Sequence, residues 1–399
     1  DTEYSYDEDW SYVGIAPGWE YSSFDQYRRD RTMSSLEGRV QHNTSAGSWV
    51  VGTYLRNEKE SLRRDYTYLD SPFTSDLSIE TAALFGQFTA DVTPTLSAYI
   101  GARWEYRGSD YNDINNVDEQ FSDTLWSGRA GLEWTPNAGN DVYLSVSLGV
   151  RGGGVNANLL ASINALPNEV ANEFSSLGFF DAESLINTEL GWRWRNAEGT
   201  LSSDLTVFSM RRSDQQAKSS LVIPRADGST AFIDYSNNAA RGSSDGVEWQ
   251  VAWAAADTLT FQGALGLLDA HFDRYVTVDG DDLAGRDQPH APKTMSQLGV
   301  NWRPFPSWQF GLDMTTMSDF YFSDRHETKS PSRTLFNSFI AWQGQTWGVR
   351  LWGRNLTDED TFARGFGSFG NDPRKEYAVE PYYQYGEPRV VGMTATYQL

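Results

Sequence analysis

The residue types that usually do chemistry are scarce in this chain or wrongly spaced for it. Cysteine is absent from all 399 residues, which removes disulfides, a thiolate nucleophile and Cys-based zinc or iron–sulfur sites. The four histidines, His42, His271, His290 and His326, have no metal-ligand spacing to one another. Gly365, Gly367 and Gly370 spell G-x-G-x-x-G, but a dinucleotide site needs a strand before it, a helix after it and an acidic residue beyond. Here Asn371-Asp372-Pro373 follows inside a long aromatic segment. Asp279, Asp281 and Asp282 cluster without the remaining positions of an EF-hand loop, so a solvated loop is the plainer reading and a divalent cation the sharper one. No Ser-His-Asp set can be singled out. The chain reads as a non-enzyme without catalytic residues, cofactor or resident metal. What remains is aromatic and basic. Arg364, Phe366, Phe369, Arg374, Tyr382 and Tyr383 are candidate contacts for an aromatic or metal-chelate ligand, the arginines meeting an anionic one. Phe179, Phe180, Phe362 and Tyr385 belong to the same class. The alternative, that these rings pack the loops together, is the favoured one.

Such loop residues need a scaffold, and composition narrows which. Lys plus Arg is 32 against 54 Asp plus Glu, a formal net charge of −22. That excludes a nucleic-acid partner, which needs a basic face, and a polybasic membrane-surface protein. No apolar run reaches the length of a helical membrane span, and DTEYSYDEDW at the start has no signal-peptide features. Aromatics make up 14% of the chain and glycine numbers 35, yet the hydrophobic fraction is only 39%. Disordered acidic chains are poor in aromatics. Apolar residues spread thinly, with many rings and glycines, point to alternating β-structure.

The alternation is explicit. Leu96, Ala98, Ile100, Ala102, Trp104 and Tyr106 are interleaved with Ser97, Tyr99, Gly101, Arg103, Glu105 and Arg107, a period of two that puts the sets on opposite faces of a strand. Residues 142–151, 247–253, 259–267, 308–314 and 391–399 repeat the pattern. Short turns fall near 43–48, 93–95, 135–140, 196–200, 255–258, 304–307 and 343–346. Longer polar segments fall near 108–123, 152–188, 212–243, 269–294, 317–333 and 356–388. Short and long connections alternate, as in an up-and-down outer-membrane barrel with short turns at one end and long loops at the other. The reading is therefore all-β: an antiparallel, up-and-down transmembrane β-barrel over 1–399 with about sixteen strands. Its long extracellular loops lie near 152–188, 212–243, 269–294 and 356–388. Arg103, Glu105, Arg129, Glu133, Arg350 and Arg354 are expected in a wet lumen, and Trp126, Trp134, Trp308 and Trp347 in an aromatic girdle at strand ends. Leu159, Leu160, Ile163, Leu166, Val170 and Phe174 keep a helical spacing, which predicts a short helix in an extracellular loop. Gly152-Gly153-Gly154 reads as a flexible loop opening.

At the C-terminus, Gly353–Glu359 reads GRNLTDE and Gly386–Arg389 reads GEPR, followed by the amphipathic Val390–Leu399. These segments resemble the C-terminal part of the TonB-dependent receptors of Gram-negative outer membranes. Looser matches run in order along the chain at 147–158, 234–253 and 285–302. The resemblance implies a 22-stranded barrel around a plug domain that takes up scarce large nutrients, most often ferric siderophores, energised through TonB. Outer-membrane lipid and lipopolysaccharide would surround it. About sixteen of the 22 strands are found here, and the signal peptide, TonB-binding segment, plug and first strands have no counterpart. The expectation is thus the C-terminal barrel part of a receptor, reaching TonB only through the missing N-terminal part. Alternatives are a free-standing porin-like channel, closed by Glu3–Ile15 pairing with Val390–Leu399, a non-functional truncated fragment, or a soluble polysaccharide-binding β-protein.

Overall fold

The computed structural model describes residues 2–11, 22–66, 69–164, 174–224, 230–277, 280–324, 326–366 and 382–398. One antiparallel sheet of sixteen strands dominates, its strands neighbouring each other in chain order. The first eight are β1 (Thr2–Ser11), β2 (Ser22–Thr44), β3 (Gly47–Tyr66), β4 (Phe73–Thr93), β5 (Leu96–Asp113), β6 (Asp118–Asn137), β7 (Asn140–Arg151) and β8 (Glu183–Arg195). The second eight are β9 (Leu201–Pro224), β10 (Thr230–Ala256), β11 (Leu259–Tyr275), β12 (Thr294–Phe305), β13 (Trp308–Met317), β14 (Arg333–Gln343), β15 (Trp347–Arg354) and β16 (Val390–Tyr397).

All seven short turns lie where Gly, Pro, Asn and Thr punctuate the alternation. Gly47 shows why the residue type matters. Its φ is +145°, and a Cβ there would come within 2.1 Å of the Thr89 carbonyl oxygen. The other end departs from expectation. The polar stretch 108–123 is not a long loop, because β5 and β6 run on to a turn at 114–117. Nor is 212–243 irregular: β9 and β10 extend through it as a paired hairpin of 24 and 27 residues. About 9–11 residues of tilted strand cross a bilayer, so more than half of this hairpin stands above the membrane. There neither face meets lipid, and backbone pairing holds the strands without apolar alternation.

The two faces of the sheet differ as read. Leu36, Ile100, Trp126 and Val391 on one face are 69%, 63%, 59% and 72% exposed, which water would not tolerate over so many strands but lipid does. On the other face long side chains meet across two strand spacings. Arg129 on β6 donates to Gln87 on β4 at 2.6 Å, and Arg193 on β8 lies 4.0 Å from Glu133 on β6. With Phe85, Arg103, Glu105 and Ser147 the first pair lines a polar groove, and this polar face is the lumenal one. Trp134, Trp253, Trp302, Trp308 and Trp347 collect near the short turns as the girdle. Trp126 does not belong to it; it sits inside β6 opposite Trp104.

Among the described residues no ladder joins the sheet's two edges. β1 pairs with β2 and β16 with β15. The expected strand at Glu3–Ile15 is seen as Thr2–Ser11, its remainder lying outside the described residues.

Candidate functional site

The strand ends opposite the short turns carry a layer of packed loops. The segment joining β15 to β16 is closed at its base by Asn355, which is buried and in the left-handed region at φ 48°. Asn tolerates that conformation better than other side-chain-bearing residues do. Its backbone N–H donates to Asn337 Oδ1 at 3.0 Å. Its side-chain amide donates to the carbonyls of Glu359 (2.9 Å) and Glu387 (3.2 Å), and its Oδ1 accepts the Glu359 N–H at 2.8 Å. Asp358, also left-handed, accepts the Arg389 backbone N–H at 3.0 Å and faces its guanidinium at 3.3 Å. Arg354 pairs with Glu387 at 2.6 Å. A Cβ on Gly386 would meet Thr361 Oγ1 at 2.1 Å. The two C-terminal sequence motifs are thus the two jaws of one clasp.

The β7–β8 segment is pinned as firmly. Gly153 donates to Asp123 Oδ2 (2.8 Å) and accepts from Arg107 Nη1 (3.0 Å). A side chain there would strike the Phe180 carbonyl, so this glycine marks a close approach rather than a flexible opening. The expected helix is present as α1 (Ala157–Asn164), while Leu166 and Val170 lie outside the described residues. Asn156 precedes α1 and donates to the carbonyls of Leu177 and Ser236, both at 2.7 Å, while accepting the Ser236 N–H at 2.8 Å. Leu159, fully buried, packs with Ile233 and Tyr235 of β10 and with Phe174 and Leu177. The next loop, 276–293, lays Leu283 on Ala217, Ala240, Phe272 and Tyr275. It then passes its order on: the His290 N–H donates to the Tyr321 carbonyl at 2.9 Å.

In the 318–332 loop Glu327, Asp319 and Lys329 take part in ion pairs. Arg286 lies over the Tyr321 ring at 4.2 Å, contacts Glu327 and donates to the His326 carbonyl at 2.6 Å. Lys329 lies over the same ring at 4.2 Å and holds Asp319 at 3.0 Å. That contact keeps the Asp319 carboxyl below its ordinary value. His326 is lowered first by burial and then by Arg286, and its Nδ1 accepts the Thr328 N–H at 3.2 Å.

Below this layer the lumen wall repeats a three-part unit of glycine, ring and arginine. Tyr143 lies over Gly191 and Phe339 over Gly311, each where a Cβ would come within about 2.1 Å. Arg193 and Arg350 then stack on those rings at 4.6 and 3.8 Å. Glycine leaves room for the ring, and the ring face holds the guanidinium over it.

A large concave sheet with a polar wall, a lipid-facing band and locked loops narrows the comparison with known proteins. The family model described as TonB dependent receptor-like, beta-barrel matches residues 1–356. The chain belongs to this family. It is 22% identical over 345 residues to the pesticin receptor of Yersinia pestis, across 83% of this chain and 47% of that protein. The ferric yersiniabactin uptake receptor FyuA from Yersinia pestis superposes with a TM-score of 0.72 at 18% identity, over 94% of this chain and 55% of that one. The siderophore receptor PiuA from Acinetobacter baumannii gives 0.68 at 14% identity, over 94% and 56%. At such identities the structural likeness shows the fold. The chain spans about half the length of the relatives it matches. TonB-dependent receptor barrels are outer-membrane proteins of Gram-negative bacteria, and the girdle lies where that membrane's hydrocarbon ends.

In this receptor barrel four of the six candidate ligand contacts, Arg364, Phe366, Tyr382 and Tyr383, fall on one short ladder, Phe362–Phe366 against Tyr382–Tyr385. Arg364 is exposed there. Tyr383 is 41% exposed and packs on Phe362 at 4.6 Å. Phe366 and Tyr382 pair through their backbones. Phe369 and Arg374 lie outside the described residues, as do Gly367, Gly370 and Asp279. The histidines are dispersed, and among the described residues no group of three His, Asp or Glu could hold a metal ion. Asn156, Tyr321 and the glycine-backed rings escaped sequence reading. Asn355 was visible only as part of a motif.

Proposed function

We propose that this chain is the barrel part of an outer-membrane receptor for active uptake of a ferric siderophore or a similar large nutrient, energised through TonB. The observation that carries the reading is the loop layer. Four loops and a tall hairpin form connected packing over a polar lumen, a surface organised in advance to receive a ligand at little ordering cost. The names of the relatives, an uptake receptor for ferric yersiniabactin and a siderophore receptor, support the same class. Lipid and lipopolysaccharide are the partners expected outside the girdle. Contact with TonB falls to the part of the relatives that this chain does not cover. A passive porin-like channel requires β1 to pair with β16, and no such ladder exists among the described residues. The test is uptake of radioactive iron chelates by cells producing the receptor, with and without a functional TonB. Uptake that disappears without TonB supports the proposal. Uptake that persists without it, together with free passage of small sugars, would favour the channel.

A further inference from the structure

At six places on the lumen wall a glycine stands directly opposite an aromatic residue on the next strand. The pairs are Gly52 with Phe85, Gly131 with Tyr99, Gly191 with Tyr143, Gly246 with Phe208, Gly311 with Phe339 and Gly392 with Trp352. At each glycine a Cβ would come within 2.5 Å of the ring opposite, so the ring lies where a side chain would otherwise be. The rings' chain neighbours Leu84, Ile100, Leu144, Val207, Ile340 and Leu351 are exposed on the lipid face, which puts the rings on the other.

Their placement follows a rule. From β2 onward the seams of the sheet are of two kinds. In one kind, such as β2–β3 or β8–β9, a short turn joins the two strands. In the other, such as β3–β4 or β7–β8, the strands are joined at the loop end, and at the short-turn end they part towards different turns. All six glycine–ring pairs lie in loop-end seams, and among the described residues no turn-end seam has one. Each ring is close to the short-turn end of its strand; Phe85, the farthest, is eight positions from Thr93. The pair thus grips the open foot of its hairpin. The β11–β12 seam is the loop-end seam without a pair, and there the connection itself runs back along β11. Leu268 and Phe272 donate their N–H groups to the Lys293 and Arg286 carbonyls at 2.9 and 3.0 Å, and Gln288 donates to the Ala270 carbonyl at 2.9 Å.

An open foot has a definite problem. A slip of one residue turns every lipid-facing side chain inward, and lipid forbids it. A slip of two residues keeps every face, so alternation does not detect it. A tight turn fixes the register of the strands it joins, but the foot of a loop-end hairpin has no turn. A ring that fits only over glycine does detect the slip: displaced by two, Tyr143 would stand opposite Glu189 or Arg193 instead of Gly191. We propose that the six glycine–ring pairs are register clamps, which select at the foot of each loop-end hairpin the one pairing that the lipid face leaves undecided. The device belongs to the assembly of the wall and is independent of the nutrient carried.

The test uses cysteine pairs in the receptor as cells produce it; these 399 residues hold no native cysteine to compete. Leu144 and Leu190 are register partners, so Leu144→Cys with Leu190→Cys reports the native pairing. Val142→Cys or Val146→Cys with Leu190→Cys reports a two-residue slip, because in the native register those positions are diagonal and too far apart for a disulfide. Tyr143→Ala and Gly191→Val are each expected to raise the slipped crosslink at least about fivefold. Exchanging the pair, Tyr143→Gly with Gly191→Tyr, should lower it again. Leu190→Cys with Val207→Cys, partners across the turn-end seam β8–β9, should crosslink equally in every background. A slipped crosslink that stays at its original level in both single variants overturns the proposal. So does an equal disturbance at the β8–β9 seam, which would mean general loosening instead of lost register. If neither single variant reaches the outer membrane, the crosslinks are read on Tyr143→Leu, which keeps bulk without the ring; slipped product there supports the clamp, and its absence overturns it.

Discussion

At the short-turn end of the strands, order comes from outside the molecule. Trp308, Trp347 and their neighbours are large, exposed and mutually similar, and their task is to sit at a lipid boundary. At the loop end order comes from inside. Asn355, Asn156 and Leu159 are buried, each has particular partners, and none could be exchanged for a residue of the same class. One end tolerates substitution by kind; the other depends on individual atoms. The first end should therefore respond weakly and locally to mutation, and the second strongly, without loss of the sheet.

The largest expected break is Leu159→Asp. A charge placed where Leu159 is fully buried forfeits the apolar contacts and strands a carboxylate, a loss of about 3–5 kcal/mol to the loop's packing. Protease cleavage in 152–182 should rise sharply while the barrel keeps its gel mobility. If the barrel unfolds as well, the two ends are not independent. Next comes Asn355→Ala, which removes three side-chain hydrogen bonds and leaves alanine in a left-handed conformation, at about 2–3 kcal/mol. Faster amide exchange at Glu359 would register it. Trp347→Ala, which loses the Trp347–Tyr397 contact at 4.9 Å, should cost only about 1 kcal/mol in urea unfolding. A cost as large as that of Asn355→Ala would erase the contrast.

The smallest effect is a pH response confined to the loop end. His326 has a folded-state value below the ordinary imidazole one, so the closed turn binds fewer protons than the open turn. Its contribution is complete above the ordinary value and is lost as pH falls through it towards the folded value. Protonation also turns Nδ1 from acceptor into donor, opposing the Thr328 N–H. Amide exchange at Thr328 should quicken on acidification in this window, and His326→Gln should abolish the change.

The same contrast governs what the sequence makes legible. Strand count, face assignment and all seven short turns follow from a period of two broken by Gly, Pro and Asn, because lipid imposes one rule on every strand. Above the membrane that rule lapses. Residues 212–224 and 230–243 are rich in Ser, Asn, Gln and Arg and read as loop, yet backbone pairing carries them on as strand. Trp126 looked like a girdle residue because indole marks the interface only when its height is known. The clasp was quoted as GRNLTDE and GEPR, but their meeting across 32 positions, Asn355 to Glu387, is a fact of the fold. Of the candidate ligand contacts, the ladder sets Phe366 opposite Tyr382, a pairing that spacing alone could not reveal.

The clasp also has a consequence for inheritance. Asn355 holds Glu359 and Glu387, and Thr361 lies against Gly386, so the stem of this connection is closed by its own residues. Insertions, deletions and recombination between Thr361 and Gly386 are expected to leave the strands below undisturbed, so a lineage can vary this connection in a single genetic event while the wall that crosses the membrane stays the same.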